Sequence, residues 1–155
     1  MLARKQRIED LKDIQRMRGI LFSLKIEDCF SPKDFTTGGL AANLMQISFE
    51  KAISHEIEKF NFPNSNPIEK NTSNSLTFEK KQEIVDGFIS QLDNKKITLL
   101  SWNKRVFGLT FSSRNLDCLR VALKNIEGDI VLISENADHG LCLLEEENFI
   151  RLSEW

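Results

Sequence analysis

The chain has 155 residues, a size at which about 69% of the extended-chain surface can be buried: enough for one core, too little for a large multidomain enzyme. Its 41% hydrophobic and 28% charged residues are those of an ordinary globule. No apolar run approaches the ~18 residues of a membrane helix, and no apolar h-region follows the basic start, so neither a membrane partner nor a secretory signal is expected.

The net charge of −2 conceals a division. Residues 1–126 hold 20 Lys and Arg against 15 Asp and Glu, whereas 127–155 hold Arg151 alone against eight acids. Cys29, Cys118 and Cys142 are too few and too scattered for a disulfide scaffold. Their apolar neighbours suit buried free thiols in a reducing compartment, which points to the cytoplasm.

In chain order, Ile8, Leu11, Ile14, Met17, Leu21 and Leu24 predict one apolar helix face over 4–26. Gly19 weakens that helix, and the alternation of Ile20, Phe22, Leu24 and Ile26 allows a short strand after it. Ser31-Pro32-Lys33-Asp34 has a cap, a first-turn proline and an early acid, hence a short helical turn, ended by Gly38-Gly39. A helix over 40–60 follows, with Ala41, Leu44, Met45, Phe49, Ala52, Ile53, Ile57 and Phe60 on its stripe. Eleven of residues 61–75 are Asn, Ser, Thr or Pro, which marks a polar surface loop or linker.

Thr77 caps a helix to about Leu92, with Ile84, Val85, Phe88, Ile89 and Leu92 inward. Ile97–Trp102 and Arg105–Phe111 read as strands turning at Asn103-Lys104. Ser112 or Ser113 caps a further helix carrying Leu116, Leu119, Ala122, Leu123 and Ile126, stopped by Gly128. Asp129–Ser134 and Leu141–Leu144 are strand-like, and Phe149, Ile150, Leu152 and Trp155 form a last strand or an irregular edge. The expectation is therefore a single α+β domain over 1–155. Residues 1–60 are mainly helical, 61–75 polar, and 76–155 form an antiparallel sheet of four to five short strands with helices on one face.

Catalytic equipment is sparse. His55 has no ligand partner at metal spacing, and the glycines give no nucleotide or other cofactor fingerprint, so no metal or cofactor is expected. His139 with Cys142 or Cys118 is a conceivable Cys/His enzyme site, but apolar neighbours of Cys142 disfavour a thiolate. A small nucleic-acid-binding module is the other alternative. It would use the basic N-terminal part, Lys95, Lys96, Lys104 and Arg105, with Phe107 and Phe111 on one strand face. The reading favoured over both is an acidic protein-binding surface without catalysis. It comprises Glu135, Asp138, His139, Glu145, Glu146, Glu147, Phe149, Glu154 and Trp155, where aromatics ringed by acids anchor a basic partner.

The runs Gly128-Asp129-Ile130-Val131-Leu132-Ile133 and Glu145-Glu146-Glu147-Asn148-Phe149-Ile150-Arg151-Leu152-Ser153-Glu154-Trp155 resemble the small cytoplasmic immunity proteins of bacterial toxin competition systems. The resemblance lies in size and acid-rich short strands and implies no set of shared residues. It implies a one-to-one complex with a cognate protein toxin, often a nuclease, whose basic active site is occluded by carboxylates. Nucleic acid is not expected as a direct partner. A homo-oligomer joining the basic part of one copy to the acidic part of another is a further alternative.

Overall fold

The computed structural model describes residues 2–54, 68–69, 78–93, 96–103, 105–126, 129–145 and 149–155. Helix α1 is Leu2–Ser23, β1 Phe35–Thr36, α2 Gly38–Ser54, β2 Ile68–Glu69 and α3 Phe78–Ser90. They are followed by β3 (Ile97–Asn103), β4 (Arg105–Phe111), α4 (Leu116–Asn125), β5 (Ile130–Ser134), β6 (Gly140–Glu145) and β7 (Phe149–Glu154). The sheet order is β1-β4-β3-β5-β6-β7-β2, antiparallel throughout. The α+β class and antiparallel sheet are those expected. The count rises from four or five strands to seven because two-residue strands flank the five long ones.

The apolar runs explain the layers. Ile130-Val131-Leu132-Ile133 and Leu141-Cys142-Leu143 are buried without interruption, which a strand tolerates only when both its faces are covered. Because side chains alternate, Ile130, Leu132, Leu141 and Leu143 join Leu99, Leu109 and Phe111 beneath α1, α3 and α4. Val131, Ile133 and Cys142 join Leu100 beneath Met45 and Ala52 of α2. Helices α1, α3 and α4 thus form a helical layer on one face, and α2 lies against the opposite one.

Helix α1 stays helical past Gly19 instead of turning into a strand. It ends where Lys25 takes a left-handed φ of 61°. There the Ile26 N–H donates to the Leu21 carbonyl (2.9 Å) and the Lys25 N–H to the Phe22 carbonyl (3.1 Å). This is a Schellman stop, with Ile26 and Leu21 both buried against the core. The predicted single apolar face is corrected. Met17, Ile20, Leu21 and Leu24 are buried, but Ile8 and Leu11 are exposed, since in a helix they turn away from that side.

Pro32–Asp34 form the expected turn, in which the Asp34 carboxylate accepts from the Ser31 N–H (3.0 Å) and hydroxyl (3.3 Å). Gly38 and Gly39 open α2 rather than end that turn, Gly38 at φ 62°. On α2 the buried stripe is Ala41, Met45, Ser48 and Ala52, whereas Ile53 is exposed. His55, Ile57, Phe60, Thr77, Lys95, Lys104 and Gly128 lie outside the described residues, as does 61–75 apart from Ile68–Glu69, which pairs with β7. Helix α4 starts one turn later than a Ser112 or Ser113 cap would set it. Asn115 stands at its N-cap, its side-chain oxygen accepting from the Ser112 N–H at 2.7 Å.

Cys29 and Cys118 form a disulfide, which corrects the expectation of three free thiols; Cys142 takes no part in the bridge and is buried. The 89 residues between them conceal the proximity, but the Asn115 amide donates to the Cys29 carbonyl (3.1 Å) and the Asn125 amide to the Leu24 carbonyl (3.3 Å). These contacts press the segment after α1 onto α4 and leave the two Cα atoms 6.6 Å apart, inside bridging range.

Candidate functional site

The described acids predicted from the sequence lie at one end of β6, apart from the backbone of Glu145 at the other. The connection from β5 to β6 is a 3-10 turn, Glu135–Ala137, followed by Asp138 and His139. Glu154 pairs with Leu141 in the β6–β7 ladder and so lies at this same end, as does Trp155, which pairs with Gly140. Glu145 is at the other end of β6, about 17 Å away at a strand's rise per residue, beside the start of β7 at Phe149. The side chains of Glu145 and Phe149, and all of Glu146 and Glu147, lie outside the described residues. Among the described side chains, the acids of the expected surface that come together are therefore Glu135, Asp138 and Glu154.

The β5–β6 corner is built to hold its shape. The Ser134 N–H donates to the His139 carbonyl (2.9 Å), and the His139 N–H donates back to the Ser134 hydroxyl (2.9 Å). Ala137 takes a left-handed φ of 57° and is buried, which turns the chain sharply at a residue that rarely adopts this conformation. Its carbonyl accepts from two distant groups, Lys51 Nζ of α2 at 2.8 Å and Trp155 Nε1 at 3.2 Å. Gly140 and Trp155 exchange two backbone hydrogen bonds of 3.1 Å, and the indole lies where a Gly140 Cβ would stand.

Trp155 is thus an internal latch, half-buried against the α2-side cluster, and not the free aromatic anchor expected from sequence. What the corner offers outward is Asp138 and His139, both exposed, with Glu135 beside them. Glu135 meets Lys96 at 3.6 Å in an exposed pair, an arrangement worth at most about 1 kcal/mol. Replacing Lys51 by Met keeps its aliphatic stem but removes one donor to Ala137. The expected result is a loss of about 1–2 kcal/mol in urea unfolding, and an unchanged midpoint would remove Lys51 from the support of the corner.

The catalytic alternatives find little support. Cys118 is consumed by the disulfide, and Cys142 is buried among apolar side chains while His139 is exposed. Phe107 and Phe111 do share a strand face, but it is the inward one, where Phe111 meets Phe30 edge-on at 4.9 Å; they form no RNA platform. Among the described residues no three His, Cys, Asp or Glu side chains gather as a metal site. Two open grooves exist: about 520 Å³ between α3 and α4 beside Asp86 and Arg120, and about 590 Å³ beside the disulfide, next to Lys33 and Arg114. Cys118 of the conceivable Cys/His site lines the second groove but is spent in the disulfide, and the described lining of neither includes a residue of the acidic surface expected from the sequence.

Sequence reasoning missed Lys51, Ala137 and Gly140, which help to fix the corner. A glycine two positions before a buried cysteine was visible; the partner that makes it necessary, the Trp155 ring, is fifteen residues away. Among the described residues, no helix is long and apolar enough to cross a membrane. Compared with protein-family models, curated proteins and solved structures, the chain finds no match.

Proposed function

We propose that the chain is a protein-binding inhibitor of the immunity-protein kind, which occludes the basic active site of a cognate toxin, a nuclease in the favoured case. The observation supporting it is the β5–β6 corner, where exposed Asp138 and His139 stand on a backbone fixed by the Ser134–His139 pair and by two donors to Ala137. A contact that is already rigid loses little conformational freedom on docking. Its carboxylates would take the place of substrate phosphates against toxin Lys or Arg, and the net acidity of 127–155 would speed encounter. This reading keeps the chain in the cytoplasm of the producing cell. Thiols are held reduced there, so Cys29 and Cys118 would stand as neighbouring thiols until oxidised.

The test is capture of the partner from the native organism, followed by titration with charge-reversed variants. Asp138→Lys with Glu154→Lys should weaken the complex about 10- to 100-fold, mainly through faster dissociation, with the fold unchanged by circular dichroism. Reversal of Glu145, Glu146 and Glu147 to Lys tests the other end of the sheet. A loss confined to that triple variant would move the contact there. Full affinity in both variants would end the proposal of an acidic docking surface.

A further inference from the structure

Helix α1 carries a second face that the core does not use. By the ~100° turn per residue of an α-helix, Ile8, Leu11 and Phe22 point opposite to Met17, Leu21 and Leu24. They are 44%, 56% and 72% exposed, whereas the latter three are buried. Arg4, Arg7 and Arg18 lie on this outward face, with Lys5 and Lys12 along one margin. The helix's acids, Glu9, Asp10 and Asp13, fall on the other half of the cylinder. There Glu9 takes Lys12 (3.5 Å) and Asp13 takes Arg16 (3.2 Å). Arg4, Arg7 and Arg18 have no ion pair among the described residues. Every residue from Leu2 to Lys12 is exposed, so the first half of α1 extends without tertiary support.

We propose that this outward face of α1 docks flat on an anionic lipid surface, the arginines meeting lipid phosphates while Ile8, Leu11 and Phe22 enter the acyl boundary. Charge complementarity selects an anionic partner and excludes a second copy joined through the same face, which would set arginine against arginine. The apolar side chains select lipid over nucleic acid, which would leave Ile8 and Leu11 in water. They also select lipid over a protein groove. A helix in a groove uses an unbroken i, i+3, i+4, i+7 stripe, but here Gln15 and Arg18 interrupt it between Leu11 and Phe22. A bilayer accepts each side chain separately, and a helix needs no spanning length to lie in its interface. The absence of a membrane-crossing helix is therefore compatible with this contact. It uses a different element from the β5–β6 corner and does not depend on the inhibitor reading.

The experiment is co-sedimentation of the full chain with vesicles of phosphatidylcholine alone and of phosphatidylcholine mixed with phosphatidylglycerol. Binding should be at least about tenfold stronger to the anionic vesicles and should fall with added salt. Reversing Arg4, Arg7 and Arg18 to Glu should weaken it about a hundredfold or more. Leu11→Asp with Phe22→Asp should also abolish sedimentation while the thermal midpoint holds, because these side chains contribute nothing to the core. Absence of partition, equal partition into both vesicles, or variants that still sediment would overturn the proposal. Retention by RNA or an acidic protein through this face, with no vesicle binding, would overturn it equally.

Discussion

Reduction of the Cys29–Cys118 bridge is expected to lower the unfolding free energy by about 3 kcal/mol. The bridge joins residues 89 apart in sequence, and for a loop of that length the chain-entropy relation gives an upper value near 4.6 kcal/mol. Much of the native neighbourhood survives reduction. The Asn115 and Asn125 amides still hold the Cys29 and Leu24 carbonyls, and Phe30 still packs on Phe111. The reduced protein should therefore remain folded and unfold at lower urea. Its signature is a Cys29→Ser, Cys118→Ser double variant that matches the reduced wild type and ignores reductant. Equal stability of the oxidised and reduced wild type would refute the chain-entropy account of this bridge.

Gly140→Ala should cost about 2–3 kcal/mol, well beyond the ordinary effect of one methyl group. A Cβ at this position would stand 2.1–2.5 Å from three atoms of the Trp155 indole, a distance no packed side chain sustains. Either the ring leaves its place over the corner, giving up its hydrogen bond to Ala137, or the Gly140–Trp155 backbone pair opens. The mechanism is separable from a general loss of stability by a double-mutant cycle. After Trp155→Ala, the further change Gly140→Ala should cost less than about 0.5 kcal/mol, since nothing remains for the methyl to strike. The same cost in both backgrounds would mean that the clash is not the cause. Trp155→Ala alone should also weaken any complex made through Asp138 and His139, by loosening the turn that presents them.

Much of the fold is legible in local patterns. The strand Arg105–Phe111 and the helix centred on Val85 and Phe88 follow from periodicity alone, with ends within a residue or two. Two features were misread, for different reasons. The spacing of Ile8, Leu11, Ile14 and Met17 looks like one face, yet each step of three falls about 60° short of a full circle, so the row drifts round the helix and Ile8 and Leu11 end away from the core. The unbroken apolar runs at Ile130–Ile133 and Leu141–Leu144 did hold a signal for cover on both sides of the sheet; read only as strands, they left α2 without its separate face. The corner is harder. Nothing local marks Ala137 for a left-handed turn. Its cause is long-range: Lys51 lies 86 residues before the carbonyl it holds, and Trp155 lies 18 after it. The cysteine pairing is hidden in the same way, by contacts between Asn115 and a segment that the sequence places far upstream.

A sheet covered on both sides divides the interior into two compartments that share a wall but few atoms. Along each central strand, alternate positions belong to alternate compartments, so neighbouring residues such as Leu99 and Leu100 pack against different helices. The corner's two long-range donors, Lys51 and Trp155, belong to the α2 side, while the covalent tie lies across the wall. A change at the outward tip that displaces Ala137 or Trp155 therefore loosens the α2 compartment first and reaches the other only through the strands they share.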